Sequence, residues 1–161
     1  MIRELLFSDF DSILTVVNEA AQAYKGVIPE DRWKEPYMSA EELKEEIDSG
    51  VRFYGWADNN TLVGVMGIQH ILDVTLIRHS YVLKRYQREG IGRKLLGYMI
   101  SIAETPEILV GTWKDASWAI HFYEANSFKL TTNTEKDKLL KKYWRIPDRQ
   151  IETSVVLKLK R

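Results

Sequence analysis

The chain has 161 residues, of which 45% are hydrophobic and 29% charged, the size and balance of one ordinary globular domain with its own core. Lysine plus arginine equals aspartate plus glutamate at 23 each, so no overall field draws the protein to nucleic acid or to a membrane surface. The lack of cysteine excludes disulfides, thiolate metal sites and a cysteine nucleophile, and His70, His79 and His121 do not have the spacing of metal ligands.

Met1 to Phe10 carries Arg3, Glu4 and Asp9 instead of the apolar run of a secretion signal. The longest apolar stretch, Leu95 to Ala103, is too short to span a bilayer, so a cytoplasmic location is the expectation. With no repeat or linker-like tract, residues 1–161 read as one domain.

In chain order, Ile2 to Phe7 reads as a strand. A helix follows from Ser8, with Phe10, Ile13, Val17, Ala20 and Tyr24 on one face and Ser8 and Asp11 as its cap. Lys25 to Tyr37, with Pro29 and Pro36, is a loop. Ser39 to Glu42 has the pattern of a capping box, Met38 is placed to staple onto Leu43, and Gly50 stops this second helix. Val51 to Ala57 and Leu62 to Gln69 read as strands joined by a turn at Asp58 to Asn60, and Thr75 to Leu83 as the next strand.

Gly90 to Glu104 is a helix ended by Pro106, and Ile108 to Thr112 a short buried strand. Ala116 to Ala125 is a helix with Asn126 as its left-handed stop. Phe128 to Thr131 reads as a strand, and Asn133 to Gln150 as a basic loop or short helix. In the last strand Thr153, Val155, Leu157 and Leu159 alternate with Ser154, Val156, Lys158 and Lys160. The plan is α+β around one mixed sheet.

The stretch that carries chemistry is Gln87-Arg88-Glu89-Gly90-Ile91-Gly92-Arg93-Lys94, where a strand turns directly into a helix. The first amides of a helix lack internal partners and sit at the positive end of its dipole. Glycines there let a phosphate reach the backbone, which makes a diphosphate cradle, and Arg88, Arg93 and Lys94 can add charge. A P-loop would need Ser or Thr after Gly-Lys, and a dinucleotide fingerprint a third glycine at Leu95. Neither is present.

The stretch resembles the signature of the GNAT superfamily of N-acetyltransferases, Gln/Arg-x-x-Gly-x-Gly/Ala between the fourth strand and third helix, with Gln87, Gly90 and Gly92 in place. Ala119 to Phe128 resembles that family's second motif, which ends in an aromatic residue, Tyr and Glu, then a small residue and Phe. The resemblance runs along nearly the whole chain. It implies a GNAT fold, a central mixed but mostly antiparallel sheet with splayed fourth and fifth strands flanked by helices.

It also implies acetyl-CoA as cosubstrate, with no metal. Backbone groups of Val82 and Leu83 would pair with the pantetheine arm. Gln87, Arg88, Gly90, Ile91, Gly92 and Arg93 would hold the diphosphate, and Tyr123 would serve as the general acid toward the departing thiolate. The activity implied is transfer of an acetyl group to a primary amine of a small molecule or peptide, by direct attack in a ternary complex.

Two departures keep a non-catalytic acyl-CoA-binding module open as the alternative reading. Ala116 stands where many members carry Asn, and Ser127 where glycine is usual, with Asn126 able to supply the turn. No general base announces itself: His79, on the strand leading into the site, reads as packing or surface, with His70 and Asp73 on the connection before it. Tyr24 to Met38, with Trp33, Tyr37, Glu30, Asp31 and Glu35, is the expected acceptor wall. Partners in nucleic acid or membrane are not expected, and a homodimer is left open.

Overall fold

The computed structural model describes residues 1–161 as seven strands and six α-helices. The strands are β1 (Ile2–Glu4), β2 (Arg52–Asp58), β3 (Thr61–Ile71), β4 (Val74–Val82), β5 (Glu107–Trp113), β6 (Lys129–Leu130) and β7 (Ser154–Lys160). They form one sheet in the order β1-β2-β3-β4-β5-β7-β6. Every neighbouring pair is antiparallel except β4 and β5, which run parallel. The helices are α1 (Phe10–Ala20), α2 (Ala40–Asp48), α3 (Ile91–Ile102), α4 (Ser117–Ala125), α5 (Asn133–Tyr143) and α6 (Asp148–Glu152). None is long and apolar enough to cross a membrane.

The local signals produce their elements where the chain can satisfy them within a few residues. Ser39 Oγ accepts from the Glu42 amide at 3.1 Å and Glu42 returns a carboxylate to the Ser39 amide at 3.2 Å, which completes the capping box of α2. Gly50, at φ 106°, ends that helix: its amide reaches Ile47 O at 3.1 Å and the Val51 amide reaches Glu46 O at 3.0 Å, a Schellman closure. Asn59 and Asn60 both have positive φ, 49° and 65°, and form the two-residue hairpin turn between β2 and β3.

Some local expectations need correction. The first strand stops at Glu4, and Phe7 to Asp9 form a single 3-10 turn before α1. Ser8 makes no cap: Asp9 instead reaches back to accept from the Leu6 amide at 2.8 Å at the start of the 3-10 turn, while Arg3 holds its carboxylate. At the end of α4 the left-handed residue is Ser127, at φ 74°, and not Asn126, at φ −106°.

Asn133 to Gln150, read as a basic loop or short helix, takes the helical alternative, with an eleven-residue helix, α5, and the short α6. Thr132 caps α5 through the Glu135 amide at 3.2 Å, and Leu140, Tyr143 and Ile151 cover Val74, Leu76, Leu109 and Val156 on the sheet. The many lysines hide this face. Lys136 is itself buried and donates to Ile151 O at 2.8 Å.

The main core lies between the sheet and α1, α2, α3 and α4, around Ile13, Val17, Leu43, Met66, Leu95 and Met99. β3 is buried from Leu62 to Gln69, so its sequence reads as an apolar run and not as an alternation.

Candidate active site

The site begins where two strands part. β4 pairs with β5 only from Val74 opposite Glu107 to Ile77 opposite Val110. An extra residue in β4 sets this limit: Gly67 lies opposite Arg78 and Val65 opposite Tyr81, so Met66 faces both His79 and Ser80. This bulge bends β4 away from its neighbour. His79 takes the left-handed conformation at φ 55°. Gly67 permits the close approach on the other side, because a Cβ there would sit 2.9 Å from the Arg78 carbonyl oxygen.

Glu46 of α2 fastens the bulge, with one carboxylate oxygen 3.1 Å from His79 Nε2 and 3.2 Å from an Arg78 nitrogen. Burial raises the Glu46 pKa, but the His79 hydrogen bond and the charges of His79 and Arg78 outweigh it and leave the carboxyl below its ordinary value.

Past the bulge, β4 ends in the predicted cradle. The Leu83 amide bonds Val63 O at 2.9 Å, so the alternate residue Val82 turns its own backbone groups to the opposite edge, the one β5 has left. Gln87 Nε2 donates to the Val82 carbonyl at 3.0 Å, which ties the loop to the strand end. Arg88 at φ 70° and Gly90 at φ 79° are both left-handed, and the amides of Arg88, Glu89 and Gly90 have no hydrogen-bond partner. The first bond of α3 runs from Lys94 N to Gly90 O at 3.0 Å, so the amides of Ile91, Gly92 and Arg93 open toward the same concavity. Successive unpaired amides around left-handed residues, at a twelve-residue helix's positive end, form a nest suited to a diphosphate.

This nest opens on a cleft of about 470 Å³. Val82, Gln87, Arg88, Gly90, Ile91, Gly92, Arg93 and Tyr123 all line it, together with Trp118 and Phe122 of α4. Leu83 does not. Its side chain is in the core, its amide is bonded to Val63 and its carbonyl to the Tyr86 amide at 2.9 Å, so it has no backbone group left to offer a ligand. Lys94 is also turned aside, with its ammonium 5.1 Å from the Trp56 ring centre.

Tyr123 stands at the inner end of the cleft. Its placement follows from the end of α4: the Phe128 amide bonds Tyr123 O at 3.1 Å and the Ser127 amide Glu124 O at 3.1 Å, a Schellman closure around left-handed Ser127. The Phe128 ring packs 5.7 Å from the Tyr123 ring, which fixes the phenol. Burial pushes its pKa up to about 12, and Ser80 pulls it back in part, so the hydroxyl keeps its proton at neutral pH. Ala116 is fully buried, and neither Asp115 nor Ser117 lines the cleft, so no side chain here replaces the usual Asn.

A second cleft of about 150 Å³ adjoins the first where the strands part and shares Tyr24, Ser80, Tyr81, Ala119 and Tyr123 with it. Tyr24 and Tyr37 line it, with their ring centres 5.4 Å apart, and Trp113 Nε1 donates to the Tyr37 hydroxyl at 2.8 Å. Burial raises the pKa values of Tyr24, Tyr37 and Tyr81. Trp33 stacks behind Tyr37 at 5.8 Å. The carboxylates expected on this wall lie elsewhere: Asp31 pairs with Arg149 at 2.9 Å, Glu35 with Lys25 at 3.3 Å, and exposed Glu30 does not line the cleft.

His79, read as packing or surface, does line this cleft. His70 and Asp73 do not: His70 accepts from the Glu104 amide at 3.3 Å and Asp73 from the Tyr143 hydroxyl at 2.6 Å. Sequence reasoning also missed Ser80, Trp113 and Trp144. The strand pattern around Ser80 and the aromatic residues near each strand end were visible, but not which of them converge.

A model of the Acetyltransferase (GNAT) family matches residues 13–128. A search of curated protein sequences finds no match. Among solved structures, the PaiA N-acetyltransferase from Thermoplasma acidophilum in complex with coenzyme A superposes with a TM-score of 0.77 at 22% identity, over 100% of this chain and 98% of that one. The ribosomal-protein-S18-alanine N-acetyltransferase from Escherichia coli gives 0.70 at 19% identity, over 99% and 92%. A GNAT family acetyltransferase from Elizabethkingia anophelis with acetyl-CoA bound gives 0.66 at 19% identity, over 100% and 97%. At these identities the likeness is one of fold.

Proposed function

Because the chain belongs to the GNAT acetyltransferase family, we propose that it transfers the acetyl group of acetyl-CoA to a primary amine by direct attack in a ternary complex. The observation that carries this reading is the meeting of two clefts at the parting of β4 and β5, with Tyr123 on both. Two reactants, one in each cleft, would meet there.

The residues present fit the cofactor. The nest from Arg88 to Arg93 would hold the diphosphate on backbone amides, with the Arg88 and Arg93 side chains adding charge-assisted contacts. Val82, at the edge that β5 vacates, would hydrogen-bond the pantetheine arm, while Gln87 keeps the Val82 carbonyl engaged. When bound, acetyl-CoA supplies an acetyl group activated as its thioester. The Tyr123 hydroxyl, protonated and water-poor, would donate toward the sulfur as negative charge builds there. The Tyr24, Tyr37 and Tyr81 rings would exclude water around the amine.

Binding is tested without knowing the acceptor. A ligand present at a hundred times its dissociation constant adds about 2.7 kcal/mol of stability. At about 2–4 °C per kcal/mol for a chain of this size, CoA should raise the melting midpoint by roughly 5–10 °C. ATP and NAD should do far less. A CoA shift no larger than that of ATP would overturn the reading. Release of the CoA thiol only when an amine is present separates an enzyme from a non-catalytic acyl-CoA binder.

A further inference from the structure

The second cleft carries a chemical selectivity of its own. Tyr24, Tyr37, Tyr81, Trp113 and Trp144 bring rings to its walls, beside the polar groups of Ser80, Thr112, Gln150 and Ser154. Trp144 comes from the end of α5 and lies over β5 at Gly111, where a Cβ would be 3.5 Å from the indole. Two lining residues carry ionisable nitrogen, Arg78 and His79, and both are bound to Glu46 behind the bulge. Arg78 also donates to Gln69 Oε1 at 3.1 Å, so its charge is already answered. No aspartate or glutamate lines the cleft.

We propose that the acceptor is a primary monoamine on a single-ring aromatic body, an arylalkylamine, with no second cationic group. The proposal rests on the acetyl-transfer reading above and adds the acceptor class to it. A volume of about 150 Å³ is of the size that one benzene ring occupies in a protein interior. Offset and edge-on contacts with the tyrosines and tryptophans would hold such a ring, each pair contributing about 0.5–1.5 kcal/mol beyond burial.

A polyamine or an aminoglycoside would bring further ammonium groups past Arg78 into a cleft without a carboxylate to pair them, where only the ring faces are left to meet them, a weaker match than an ion pair. Burial in this cleft beside the Arg78 charge also lowers the pKa of the attacking amine and favours its neutral, nucleophilic form. In the transfer, the amine nitrogen bonds the acetyl carbon as the carbon–sulfur bond breaks. The proton that the amine gives up balances the one that the sulfur gains.

The test is a thiol-release assay on the full chain with acetyl-CoA and tyramine, phenethylamine, spermidine, kanamycin or a peptide beginning with alanine. Tyramine or phenethylamine should exceed each of the others in kcat/KM by at least about tenfold, a difference of about 1.4 kcal/mol in transition-state binding. Spermidine, kanamycin or the peptide matching or exceeding the aromatic amines would overturn the proposal. So would the absence of turnover with both aromatic amines while CoA still raises the melting midpoint, a result that leaves cofactor binding intact. If CoA also fails to bind, the acetyl-transfer reading falls with it.

The variant Ile146→Asp places a carboxylate on the half-exposed rim of this cleft. With its melting midpoint near that of the parent, it should move the spermidine-to-tyramine ratio toward spermidine by about tenfold, the size of a modest charge-pair gain. An unchanged ratio in the folded variant would overturn the placement of the acceptor.

Discussion

Replacing Tyr123 with phenylalanine tests the junction of the two clefts at one atom. The ring would keep its packing 5.1 Å from Phe122 and 5.7 Å from Phe128, so the variant should fold with little change in melting midpoint. The catalytic loss follows from the acidity of the phenol. With its pKa near 12, it lies about 3.5 pH units above an ordinary thiol at about 8.5, so complete proton transfer to the sulfur would be uphill by roughly 5 kcal/mol. The burial that lifts the phenol lifts the leaving thiol too and narrows that gap.

In the proposed transfer Tyr123 would therefore contribute chiefly a hydrogen bond to developing negative charge, of about 1.5–3 kcal/mol. Tyr123→Phe should lower turnover by about 10- to 10²-fold while the CoA-induced melting shift stays the same. In the parent, a hydroxyl with a pKa near 12 should produce no falling limb in the rate below about pH 10. The assay is thiol release across pH with the best amine of the panel, alongside single-turnover measurements to establish that chemistry limits the rate. Full activity in the variant under those conditions would refute the role given to Tyr123.

Gly90→Ala should cost about 1–2 kcal/mol of stability in the absence of CoA, because the open space around its Cβ leaves φ 79° as the source of strain; denaturant melts of both proteins would measure it. Glu46 has a lowered folded-state pKa, so its stabilisation is complete above the unfolded value of 4.5 and is lost as pH falls through the lower folded value. Glu46→Gln should thus lower stability by about 1–3 kcal/mol at neutral pH and flatten the acid limb of a stability-against-pH curve.

The elements legible in the sequence are those whose hydrogen bonds close within a few residues. The capping box at Ser39, the Gly50 stop and the Asn59-Asn60 turn each satisfy themselves locally, so residue type and spacing determine them. The cradle from Gln87 to Arg93 belongs to the same class, because a strand-to-helix turn with glycines makes its nest from its own amides. Where propensity left a choice, neighbours in space decided it. Lysine-rich α5 is a helix because Leu140 and Tyr143 find Val74, Leu76 and Val156 to cover, residues far away in the chain.

The active junction is a tertiary product in the same sense. The bulge at His79 depends on Gly67 across the hairpin and Glu46 on another helix, and neither has a local signature near Arg78. Likewise Leu83 lost its expected role to Val63, and Asp31 and Glu35 left the acceptor wall for Arg149 and Lys25. The sequence by itself determined the helix ends, the turns and the amide nest before α3, whose partners lie a few bonds away. Only the folded chain decided where β4 leaves β5 and which side chains face the gap, because strand pairing and charge pairing join residues that sequence order keeps apart.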